Sequence, residues 1–170
     1  MKSFIKKSLS LFLILVMLVC VASCGKDTVN YSEAGLNFSL PKYMEKRNFM
    51  NVDLAFSSNE DRYLQFHVYF YTNDTLMGDP TYMPKDVTVE YYAMWFIAIN
   101  EYTNVDKSYD EAGRKIVLRY VYEPENTYFC DYILRNDEAL YHVTMTCDAG
   151  DKDKYIPMFE EWMNSIYLDY

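Results

Sequence analysis

Apolar and polar positions alternate along most of this chain, and the alternation predicts strands. The clearest is Tyr63 to Tyr71, where Leu64, Phe66, Val68 and Phe70 face one way and Tyr63, Gln65, His67, Tyr69 and Tyr71 the other. Leu36 to Leu40 alternates in the same way and ends at Pro41. It follows a short strand, Val29 to Glu33, across the turn Ala34-Gly35. Val52 to Ser57, Val105 to Tyr109, Lys115 to Tyr122, Thr127 to Arg135 and Leu140 to Cys147 complete the set. Turn clusters rich in Asp, Asn, Gly and Pro separate them.

Two stretches change to helical spacing. From about Asp86 to Tyr102, Tyr92, Phe96 and Ile99 recur at helix intervals, and Asp86 or Thr88 can cap the start. Ala93, Met94, Trp95 and Ile97 make this helix apolar nearly all round, which predicts deep burial. From about Asp153 to Ser165, Ile156, Phe159, Met163 and Ile166 form one stripe, with Pro157 tolerated in the first turn. Thr72 to Lys85 is the longest irregular stretch, and loops of that length are often functional. Strands, a helix, four antiparallel strands and a last helix make an α+β fold with helices layered on a mostly antiparallel sheet.

The first residues break this pattern. Lys2, Lys6 and Lys7 precede an apolar run from Leu9 to Val19, and Val21-Ala22-Ser23 then places small residues before Cys24. This is the arrangement of an export signal. The run is short for a spanning helix, which needs about 20 residues. A cysteine at the first position after the cut offers a thiol for a diacylglycerol thioether, and the motif resembles the lipobox of bacterial lipoproteins. The expected organisation is a signal peptide over 1–23, a lipidated tether over 24–28 and one domain over 29–170. A two-chain lipid on Cys24 would hold that domain to the cell membrane at its extracytoplasmic face.

Charge sharpens the expectation. The whole chain carries −9, and removing the leader takes away three lysines and no acid. Such a domain has no excess cations with which to displace counterions, so nucleic acid is not an expected partner. Anionic headgroups should repel it, which leaves the lipid as its hold on the membrane.

Chemistry-bearing residues are few. There is no nucleophile elbow, phosphate-cradling glycine loop or C-x-x-C pair. His67 and His142 could pair for metal or acid–base work only if their strands were neighbours, and packed or exposed strand histidines are the preferred reading. Asp148, Asp151 and Asp153 lack the spacing of a calcium loop and suit the start of the last helix. No catalytic residue, metal site or cofactor is therefore assigned. A tight turn at Asn136 to Ala139 sets Cys130 opposite Met145. Cys147 then lies on a diagonal of roughly 7–8 Å, beyond the usual disulfide Cα spacing of about 4.4–6.8 Å. Two buried free thiols are preferred over a bridge. The 18 tyrosines suit a tyrosine-packed sheet, or a surface on which a ligand stacks.

Gly35-Leu36-Asn37-Phe38-Ser39-Leu40-Pro41, the helix around Glu90-Tyr91-Tyr92 and the ending Leu140 to Cys147, with Tyr155, Phe159 and Ser165-Ile166, resemble the PsbP-like superfamily. Some of its members are small lipoproteins of Gram-positive bacteria. The resemblance implies an α/β/α sandwich, and a protein that binds partners without catalysing a reaction. Two functions follow as expectations. One is a non-catalytic binding or assembly module for an envelope protein. The alternative is a receptor for a small glycan or peptide, with Tyr69, Tyr71, Tyr82 and Trp95 as ligand contacts.

Overall fold

A computed structural model describes residues 27–72, 87–110 and 113–169. The leader, Cys24 and Tyr82 lie outside the described residues. Strand β1 (Thr28–Glu33) turns into β2 (Leu36–Pro41) through Ala34 and Gly35, at φ of 53° and 76°. Glycine suits the second position, because a Cβ there would stand 3.0 Å from the Tyr141 hydroxyl. The two-residue β10 (Tyr167–Leu168) adds to the other edge of β2, which completes a three-stranded sheet.

The larger sheet has seven strands. They are β3 (Met44–Arg47), β4 (Leu54–Ser58), β5 (Gln65–Thr72), β6 (Asp106–Tyr109), β7 (Lys115–Tyr122), β8 (Thr127–Arg135) and β9 (Ala139–Asp148). Their order is β3-β4-β5-β9-β8-β7-β6, and every pairing is antiparallel. Helix α1 (Val89–Ile99) packs on β7 and β8 on one face. Helix α2 (Lys152–Ser165) packs on β2, β8 and β9 on the other. The result is the expected α+β arrangement, a helix on each face of an antiparallel sheet.

Alternation explains the two cores. Phe56, Phe66, Val143 and Met145 point from the sheet toward Phe159 and Trp162 of α2. Ile116, Leu118, Ile133 and Leu140 point the opposite way, toward Tyr92 and Ala93 of α1. Strands β8 and β9 lie in mid-sheet and are buried on both faces, so even Asp131, His142, Thr144 and Thr146 are enclosed.

The structure corrects three sequence expectations. Helix α1 is not deeply buried: it presses one side on the sheet, and Tyr91, Met94 and Ile99 remain 46%, 48% and 55% exposed. Strands β3 and β10 were not expected. Met44 is the one apolar residue of β3 and the rest are charged, so no alternation marks it, while β10 is too short to show a period. The turn after β8 behaves as read. Asn136 Oδ1 accepts from the Ala139 N–H at 2.8 Å, and Cys130 stands opposite Met145. Cys130 and Cys147 are free, buried thiols.

Candidate functional site

The site grows out of the face that α1 only partly covers. Antiparallel pairing brings the odd positions of β5 and β8 and the even positions of β7 and β9 to that face. Tyr69 and Tyr71 therefore stand on the same side as Tyr120, Asp131 and His142. With Trp95 and Phe96 of α1 and Tyr102 beyond its end, they line a cleft of about 460 Å³. Volumes of about 300–1,000 Å³ are typical of small-molecule sites.

Rings form the walls. Phe96 meets His142 edge-on at 4.7 Å, Tyr102 lies 4.4 Å from Tyr120, and Tyr71 lies 5.7 Å from Tyr92. Among the described residues, no lysine or arginine lines the cleft.

Polar groups form the floor. Tyr120 donates its hydroxyl to Asp131 Oδ2 at 2.9 Å. His142 Nε2 lies 3.1 Å from Asp131 Oδ1 and 3.3 Å from Thr144 Oγ1, and its Nδ1 lies 3.0 Å from the Tyr92 hydroxyl. Asp131 is 0% exposed and His142 2%. The Nε2–Oδ1 distance suits an ion pair, yet the ring N–H does not point along it, so Oδ1 has no aligned donor among the described residues. Burial, followed by the charge of Tyr71, raises the Tyr92 pKa. Burial, followed by the charge of Asp131, raises that of Tyr120. Both phenols therefore keep their protons, and Tyr120 donates its own to Asp131.

This geometry is not a nucleophile triad. There, an acid orients one ring nitrogen while the other takes the nucleophile's proton. Here Asp131 and Thr144 face the same nitrogen, and Tyr92 holds the other.

A second hollow of about 700 Å³ continues along the sheet past Tyr69, Phe129 and Thr144, which both share. Gln65, His67, Thr127 and Thr146 line it. Burial lowers the His67 pKa, its ring rests 5.3 Å from Phe49, and its Nε2 has no partner among the described residues. The two histidines do lie on neighbouring strands, since His67 faces Thr144 and His142 faces Tyr69. They do not bond to each other. No group of three or more metal-ligating side chains occurs among the described residues.

Tyr69, Tyr71 and Trp95, the candidates read from sequence, come together in the cleft. The candidate Tyr82 lies outside the described residues. Sequence reasoning missed Asp131, Tyr120 and Tyr92. One signal was available: Asp131 is an acid amid the otherwise apolar and aromatic Tyr128 to Leu134, where an unpaired charge would be costly.

No protein-family model matches the chain, and no curated protein does. Among solved structures, the solution structure of cyanobacterial PsbP (CyanoP) from Synechocystis is similar, with a TM-score of 0.59 and 13% identity over 86% of this chain and 98% of that one. A crystal structure from Bacteroides thetaiotaomicron aligns with a TM-score of 0.49 and 11% identity, over 85% of this chain and 48% of that one. The first likeness shows a PsbP-like fold. The second is too low to carry an argument.

Proposed function

We propose that this protein is a non-catalytic binding module whose ligand is a small molecule held in the aromatic cleft. One observation carries the reading: a buried acid–imidazole pair, Asp131 and His142, forms the floor of a ring-walled cavity of about 460 Å³. A polar pair sealed inside a sheet is costly unless something compensates it, and apolar walls with a few converging polar groups are the usual make-up of ligand sites. Export and a lipid on Cys24 would place the cleft outside the membrane, where it would meet extracytoplasmic solutes. No helix among the described residues is long and apolar enough to cross a membrane, so in this reading the attachment rests on Cys24.

A thermal-shift screen over glycans, peptides, amines and metal ions tests the cleft. A ligand at 100 times its Kd adds about 2.7 kcal/mol to native stability. The expected result is a midpoint rise that Trp95→Leu abolishes. A screen without hits, or hits indifferent to Trp95→Leu, would overturn the reading. Intact mass of the native protein tests the anchor separately, because an unmodified Cys24 or a retained leader contradicts it.

The exposed apolar side chains of α1, Tyr91, Met94 and Ile99, favour a second reading, an assembly module that docks an envelope protein. Tyr91→Ser with Met94→Ser should then release a crosslinked partner without changing ligand binding, because neither residue lines the cleft.

A further inference from the structure

We infer that the ligand of this cleft is a small organic ammonium ion, an inference that rests on the small-molecule reading above. Four observations converge on that charge. First, Asp131 is buried, with Oδ2 held by Tyr120 and Oδ1 without an aligned donor. A carboxylate left so lightly compensated in a low-dielectric interior attracts a cation in the cleft above it. Second, no lysine or arginine among the described residues lines the cleft. An anionic ligand would therefore face the carboxylate with no lysine or arginine among the described residues to offset it.

Third, the walls are aromatic. Tyr69, Tyr71, Trp95, Phe96 and Tyr102 line the cleft together with Asp131. Their quadrupoles attract a cation within about 6 Å of a ring centroid, most strongly at tryptophan. Fourth, the chain carries −9, so cations are drawn to it over a distance. A neutral sugar could stack on the same rings, but it would leave the carboxylate's field unanswered. Asp131 is closed to bulk water, so it works as a negative pole beneath the rings and need not touch the ligand.

The experiment compares probes of one shape and three charges by calorimetry. One series is 2-phenylethylamine, 2-phenylethanol and 3-phenylpropanoate. The other is choline, 3,3-dimethylbutanol and 3,3-dimethylbutanoate. At least one cation should bind tenfold or more tightly than its neutral isostere, and neither anion should bind. Asp131→Asn should cut that preference about tenfold. If that variant does not fold, Trp95→Leu provides the test and should weaken the cation more than the alcohol. Neutral isosteres binding as tightly as the cations, or a preference that survives both substitutions, would overturn the ammonium assignment. Neutral binding that Trp95→Leu abolishes would keep the small-molecule reading. If none of the six compounds binds, the ammonium assignment fails outright, and the wider screen then decides whether the cleft reading survives it.

Discussion

Replacing Tyr120 by phenylalanine removes a single oxygen from the floor of the cleft. That hydroxyl donates to Asp131 Oδ2 at 2.9 Å, and the two residues are 4% and 0% exposed. The ring's stacking on Phe129 at 5.2 Å and its contact with Tyr102 at 4.4 Å do not involve the oxygen, so packing survives. The carboxyl group then loses its one well-aligned donor, because Oδ1 already lacks one. Hydrogen bonds to charged groups contribute about 1.5–3 kcal/mol, and an orphaned buried partner adds its own penalty. The expected cost is about 2–3 kcal/mol, a drop in Tm of about 5–10 °C for a chain of this size. Urea unfolding of wild type, Tyr120→Phe, Asp131→Leu and the double variant measures it. With both polar groups gone the cost should largely vanish, leaving a coupling of about 2 kcal/mol. A Tyr120→Phe variant within about 0.5 kcal/mol of wild type, or strictly additive single effects, would refute a stabilising pair at the floor.

Three further outcomes follow from the same structure. Gly35→Ala should cost more than Gly113→Ala in urea unfolding. Both glycines have positive φ, a strain of about 1–2 kcal/mol for alanine, but only the Gly35 Cβ would also press on the Tyr141 hydroxyl that donates to the Ala34 carbonyl at 2.8 Å. Burial pushes both Cys130 and Cys147 thiols up to about 12. In a chain with Cys20 and Cys24 replaced by serine, neither should react with a thiol reagent at about pH 8 until the protein unfolds; rapid native labelling would contradict this. Burial holds the His67 pKa below its ordinary 6.5, so the unfolded chain takes up this proton more readily and stability falls as pH drops below that value. Unfolding curves at about pH 7.5 and 5.5 should show a smaller fall for His67→Gln, and an unchanged fall would contradict the shift.

Tyr69 and Tyr71 were legible as one face of an alternating strand, and Trp95 as a helix residue near the same loop. Asp131 and Tyr120 were not, because their place depends on strand order. β9 enters between β5 and β8, and only that insertion puts residues near positions 70, 130 and 142 on one patch of sheet. His142 looked like an exposed or packed strand histidine for the same reason: alternation gives its face, but not whether another strand or helix closes over it. Helix α1 misled in the opposite direction. An all-apolar helix reads as buried, yet this one has a sheet on a single side, and its outer residues stay in solvent. The hairpin of β8 and β9 was fully legible, since the Asn136 turn fixes the register and the register places both thiols.

If the cleft holds a ligand, its floor must sense the occupant, and His142 reports on that floor. The chain has only two histidines, so histidine-labelled protein gives two imidazole spin systems. Titrating in a compound that raises the thermal midpoint should shift the His142 resonances in step with occupancy, and His67 should follow only for ligands long enough to reach the neighbouring hollow. Compounds that stabilise the protein while leaving His142 unmoved would contradict the account.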